Sequence, residues 1–175
     1  ALSDIEVEHK EDVGEFVSIK YGDDDLNITI ATTRAETMLG DGAVAVNPND
    51  DRYKHLVGKK VMLPLVDRMI PIIADELVDP DFGTGAVKVT AAHDPNDFQM
   101  AMRHGVEIVV IMNEHGVMAG TGTKFDGMDR FDARKAVVDE LKKQGRVVAE
   151  KKPYLHAVGH CQRCETTVEP RLSKQ

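Results

Sequence analysis

Tryptophan is absent from this 175-residue chain, and aromatic residues of all kinds make up only 5% of it. The stacked aromatic platforms that grip single-stranded nucleic acid are therefore not in view. Positive charge is also in deficit, with Lys+Arg 22 against Asp+Glu 30 and a net charge of −8. Affinity for a phosphate backbone grows with the number of neutralising cations, so general nucleic-acid binding is excluded as the main role. Two local basic clusters stand out against this, Arg52/Lys54/Lys59/Lys60 and Lys142/Lys143/Arg146/Lys151/Lys152, and charge patterning reads both as solvated faces. No apolar run approaches the roughly 20 residues that cross a bilayer, and no signal peptide opens the chain. Cysteine is limited to the pair Cys161-x2-Cys164. That is no disulfide framework, and it points to a reducing, cytoplasmic setting. The start at Ala1 and the end at Gln175 suggest a piece of something larger.

What remains is ordinary globular material, 42% apolar and 30% charged, enough for one domain with a buried core. Alternation predicts strands at 2–8 and 13–20, joined by the polar His9-Lys10-Glu11-Asp12, and a further strand at 26–31. Thr33-x-x-Glu36 has the form of a capping box, with Gly40 closing a short helix. Short strands follow at 43–47, 61–65 and 69–74, with a brief helix at 48–56, and Pro71 favours a sheet edge for the last of them. Another strand is expected at 107–112. Helices are expected from Pro95 to Gly105, burying Phe98, Ala101 and Met102, and from Arg130 to Gln144, burying Ala133, Val137 and Leu141. Strands at 146–150 and 154–158 and a last strand in the tail complete the reading. Many short strands with a few inserted helices indicate a mostly β, α+β domain of barrel type, without the regular βαβ alternation of a Rossmann fold.

The chemically richest stretch is GTGAVKVTAAHDPND, residues 83–97. After a glycine entry read as flexible, Lys88 and Thr90 share one strand face while Val87, Val89 and Ala91 share the other. Asp94 is a good N-cap, Pro95 suits the first helical position, and Asp97 lies near the positive helix end. Capping explains these residues structurally. It is also compatible with a site, because a capped start immobilises carboxylates and the helix dipole favours their ionised form. No covalent nucleophile motif is visible. Cys161 and Cys164 are half of a structural zinc site, with no second pair in the chain.

Three segments together, ATTRAETMLGDGAVAVNP (31–48), DFGTGAVKVTAAHDPNDF (81–98) and GHCQRCETTVEPRLSKQ (159–175), resemble the inserted editing domain of the valyl-tRNA synthetase family. The resemblance covers essentially the whole chain. It implies a single editing domain over 1–175, built as a closed six-stranded β-barrel with inserted helices. It implies connecting strands at 1–8 and 153–175, with half of a zinc ribbon at 161–164. The implied activity is hydrolysis of threonine misattached to tRNA(Val), with misactivated threonyl-adenylate as a further implied substrate, by direct attack of water. Lys88, Asp94, Asp97 and Arg34 are the implied catalytic group, Asp97 holding the α-ammonium. Thr32, Thr37, Asp79, Phe82, Thr90 and His93 are the implied substrate-binding group, with Phe82 on the terminal adenine and Asp79 on its ribose. The implied partners are the 3′ aminoacyl-adenosine end of tRNA(Val) and the catalytic domain of a parent synthetase, which uses ATP and Mg; the domain itself needs no cofactor or metal. A non-catalytic tRNA-positioning module is the alternative. Ala35 and Ala91 stand where the family usually has proline, which implies a looser hold on Arg34 and His93.

Overall fold

A computed structural model describes residues 2–173; Ala1, Lys174 and Gln175, the ends of the expected domain, lie outside the described residues. The strands are β1 (Val7–Gly22), β2 (Asn27–Thr32), β3 (Ala43–Val46), β4 (Lys60–Leu63), β5 (Arg68–Ala74), β6 (Ala86–Val89) and β7 (Val147–Cys161). The helices are α1 (Pro95–His104) and α2 (Arg130–Lys143). β1 is one strand over 7–22 where strands at 2–8 and 13–20 were expected, and Asp4–Glu6 ahead of it is a 3-10 turn rather than strand. His9 to Asp12 do not form a turn but pair with Gly159 to His156 of β7. Their polarity reflects exposure on an open two-stranded ribbon rather than a break in the backbone. The expected strands 146–150 and 154–158 are likewise the single strand β7.

The strands form two sheets, β2-β1-β7 and β4-β5-β3-β6. All pairings are antiparallel except β3 with β5. The mostly β, α+β class is as expected, but the closed six-stranded barrel is not found among the described residues. One reason lies in residues 107–112, expected as a strand, which form only the isolated bridge Met112–Met118. Ile111 donates its N–H to a side chain, His93 Nε2, at 3.0 Å, and its carbonyl accepts from Ala119 N in a loop. Main-chain groups used this way are not available to a closing ladder. Pro71 is also not at an edge, since β5 lies between β4 and β3. It is tolerated because the β3 ladder begins one residue later, at Ile72, which also supplies the N–H to Lys59 O.

The main core lies between the sheets and α2, with Ile19, Tyr21, Ile30, Leu39, Leu63 and Leu141 at its centre. α2 buries Ala133, Val137 and Leu141 as the i, i+4 spacing required. α1 packs on a smaller cluster around Ala45, Val89 and Val106. Here Met100 and Ala101 are buried and Met102 is exposed, so the packed face is rotated from the expected one. Residues 48–56 give turns and one 3-10 turn, Lys54–Leu56, and the tail has only the bridge His160–Thr167 instead of a strand.

The capping box is also replaced. Ala35–Gly40 is a 3-10 turn with Arg34 at its N-cap and no side-chain cap. Glu36 is fully buried and accepts two 2.8 Å hydrogen bonds from Arg134 of α2. A carboxylate carried into the core is tolerated only with such a partner. Arg134→Ala is therefore expected to destabilise the fold by about 3 kcal/mol, read by chemical denaturation. Adding Glu36→Gln should recover part of the loss; no recovery would show that the ion pair is not the cause.

Candidate active site

β6 is only four residues long, yet it places the chemistry. Its entry is a fixed turn rather than the flexible one expected. Gly83 and Gly85 have φ of 59° and 78°, Gly85 N donates to Phe82 O at 2.9 Å, and Tyr53 Oη donates to Thr84 O at 2.6 Å. A Cβ on Gly85 would meet the Arg52 guanidinium and lie 2.8 Å from Pro80 O. The turn therefore needs glycine for both conformation and space. Beyond it, Lys88 and Thr90 point to the same side. Lys88 Nζ donates to Thr37 Oγ1 at 2.5 Å and to Thr90 Oγ1 at 2.6 Å. Its counter-ion is Asp41, 3.6 Å away and fully buried.

At the start of α1, Asp94 caps as its position predicted, accepting from Asn96 N at 2.8 Å and Asp97 N at 3.1 Å. Asp97 accepts from Thr90 N at 2.8 Å through Oδ2. Its Oδ1 makes no hydrogen bond among the described residues. Burial holds the Asp97 carboxyl up at about 6, offset by Lys88 and reinforced by Asp94. The expected lowering by the helix end is thus outweighed by desolvation.

Arg34, Thr32, Thr37, Phe82, Lys88, Thr90, His93, Asp94 and Asp97 all line one cavity of about 290 Å³. Asp79 does not; it is exposed and accepts from Asp81 N at 2.9 Å inside the rim turn. His93 forms a wall but has no free nitrogen. Nε2 accepts from Ile111 N, so Nδ1 carries the proton and donates to Pro170 O at 3.2 Å. Burial pushes the ring down to about 4, so it stays neutral near pH 7. Arg34 is committed as well: it donates to His93 O at 3.1 Å and pairs with Glu169, which Arg130 also holds at 3.1 Å. With these partners the guanidinium is held in place despite Ala35.

Several site residues were not legible in the sequence. Asp41 sits in a Gly-Asp-Gly triplet that reads as a turn, and Glu169 sits in a tail that reads as a strand. Phe16, Tyr154 and His156 also line the cavity. Phe16 and Tyr154 stack with ring centroids 4.8 Å apart, and Phe82 lies 5.7 Å from Phe16. Scarcity of aromatics thus did not exclude a local aromatic cluster. Four of the nine residues in the basic clusters are ion-paired, Arg52 with Asp50, Lys54 with Asp51, Lys142 with Glu150 and Lys152 with Glu15. That agrees with solvated faces. Cys161 is buried and Cys164 exposed, and neither forms a disulfide. Among the described residues no helix is long and apolar enough to cross a membrane.

The family model described as "Leucyl-tRNA synthetase, editing domain" matches residues 49–142. Over its whole length the chain is 63% identical to a valine–tRNA ligase of Streptomyces coelicolor and 57% identical to that of Clostridium tetani. It spans about a fifth of the length of those relatives, 20% of each. Among solved structures, a ternary complex of an Agrobacterium radiobacter LeuRS with tRNA and LeuAMS superposes with a TM-score of 0.61 at 19% identity. That match covers 92% of this chain and 24% of the other. GlLeuRS-CP1 superposes with a TM-score of 0.60 at 15% identity, over 79% of this chain and 100% of its own. These two likenesses concern the fold alone.

Proposed function

Because the chain belongs to the family of synthetase editing domains, as the editing domain of a valine–tRNA ligase, we propose that its cavity hydrolyses threonine misattached to tRNA(Val). The observation that carries this reading is the set of groups converging on one small cavity. A pinned ammonium, two hydroxyls and a carboxylate with one oxygen left unbonded among the described residues line it. A volume of about 290 Å³ suits an aminoacyl group and its ribose rather than folded nucleic acid.

The need for such a site follows from pocket physics. An apolar pocket cannot strongly reject an isostere that merely adds a hydroxyl, whereas a polar pocket rejects the analogue lacking it. Valine in this cavity would offer no donor to the remaining lone pairs of the Thr37 and Thr90 hydroxyls, which is costly once water is excluded. The free oxygen of Asp97 is suited to the α-ammonium. Lys88 supplies positive charge where negative charge develops on the ester oxygen as water attacks. The water and ester react because they are held together, with no covalent intermediate on the protein. The aromatic group of Phe16, Phe82 and Tyr154 at the cavity is suited to the adenosine end of the substrate. The rest of the tRNA would be held by the remainder of the parent synthetase, as the net charge of −8 suggests.

The test is deacylation by the parent synthetase. Threonyl-tRNA(Val) should be hydrolysed and valyl-tRNA(Val) spared, and loss of both at equal rates would remove the reading. The alternative, a non-catalytic tRNA-positioning module, predicts a steep salt dependence of RNA binding with no role for Asp97.

A further inference from the structure

One charged group beside the cavity has no place in the proposed reaction. Asp41 is fully buried and does not line the cavity, yet three side chains end on its carboxylate. Tyr21 Oη donates to Oδ2 at 2.7 Å, Thr90 Oγ1 donates to Oδ1 at 2.5 Å, and Lys88 Nζ lies 3.6 Å from Oδ1. Arg68 fixes the residue from behind, donating to its backbone carbonyl at 2.6 Å.

Ionised carboxylates only accept and ammonium groups only donate, so the two ends of this chain of hydrogen bonds fix its direction. The single proton of Thr90 goes to Asp41, while one of its lone pairs takes a Lys88 proton. The proton of Thr37 goes to Arg34 O at 2.9 Å, and Thr37 also accepts from Lys88. Each hydroxyl is left with one lone pair and no proton to offer the cavity. The wall is therefore an acceptor for any hydroxyl brought to it.

We propose that Asp41 is the positioning residue that sets the specificity of this pocket. By holding Thr90 as an acceptor, it admits a substrate side chain whose hydroxyl can donate. It does so without touching the substrate. The proposal rests on the editing reading.

The experiment compares hydrolysis of threonyl and 2-aminobutyryl esters of tRNA(Val) by the parent synthetase. The two side chains differ by the hydroxyl and are small enough to enter. Asp41→Asn introduces an amide that can donate to Thr90 and release its proton. The expected result is a fall of about tenfold or more in the threonyl over 2-aminobutyryl ratio of kcat/KM. Tyr21→Phe, which removes only the bond on the far oxygen, should leave that ratio unchanged. An unchanged ratio in Asp41→Asn, or an equal fall in Tyr21→Phe, overturns the role of Asp41. If Asp41→Asn does not fold, binding of threonyl-adenosine and O-methylthreonyl-adenosine analogues to the unmodified protein decides. The ether cannot donate and should bind at least about tenfold more weakly; equal binding overturns the proposal. Failure of the unmodified protein to hydrolyse the threonyl ester at all overturns the editing reading, and this proposal with it.

Discussion

Asp97→Asn is expected to lower deacylation of threonyl-tRNA(Val) by at least about 10², the usual cost of losing one preorganised charge, while making the fold more stable. Two observations set these opposite signs. Asp97 keeps one oxygen on Thr90 N and one with no hydrogen bond among the described residues, and its carboxyl is raised to about 6 by burial. A carboxyl whose folded pKa lies above its unfolded value binds more protons in the folded state between the two values. Its ionisation therefore weakens the fold as pH rises from about 3.8 to about 6. At pH 7 the penalty is about 3 kcal/mol at most. Asparagine keeps the acceptor for Thr90 N and removes the charge, so thermal unfolding should move up at pH 7 and hardly at pH 4. A destabilised Asp97→Asn at pH 7 would show that the carboxylate serves packing rather than ligand binding. In the unmodified protein, kcat/KM should fall about tenfold per unit below about pH 6, as the group that receives the ammonium becomes neutral. A flat profile down to pH 5 would assign the ammonium to another residue.

Lys88→Met is expected to lower both stability and activity. It removes the cation beside Asp41, whose carboxyl burial already pushes up and which has no other ion-pair partner among the described residues. Breaking a buried pair on one side costs about 3–5 kcal/mol. The remaining carboxyl, raised further, would make the loss larger at pH 8 than at pH 5, since a raised acid weakens the fold as pH rises. The double variant Lys88→Met/Asp41→Asn should recover stability without recovering deacylation. Recovery of both would mean that Lys88 only neutralises Asp41. Recovery of neither would mean that its bonds to Thr37 and Thr90 carry the fold instead.

The two substitutions also mark how far residue pattern reaches. Alternation placed Lys88 and Thr90 on one face of β6, and cap chemistry placed Asp94 and Asp97 at the start of α1. These are local properties, decided within four or five residues by strand period and helix geometry. Pattern could not say that Asp97 would lie under enough protein to reverse the expected effect of the helix end. It could not separate Glu36 as a cap from Glu36 as a buried partner of a residue 98 positions away. The same limit applies to His93, whose nitrogens are taken by Ile111 and Pro170, and to Asp79, which the rim turn keeps outside the cavity.

The sequence by itself determined the strand-rich class, the two helices with the N-cap of the first, and the family, and it named ten residues of which nine line one cavity. Tertiary structure alone decided that the strands form two sheets instead of a closed barrel, one reason being that the Ile111 N–H went to a side chain. It alone brought Asp41 and Glu169 to the site, the first behind Lys88 and Thr90, the second across Arg34 and Arg130. Burial and long-range pairing set the charge state of a group, and neither quantity exists until distant segments meet.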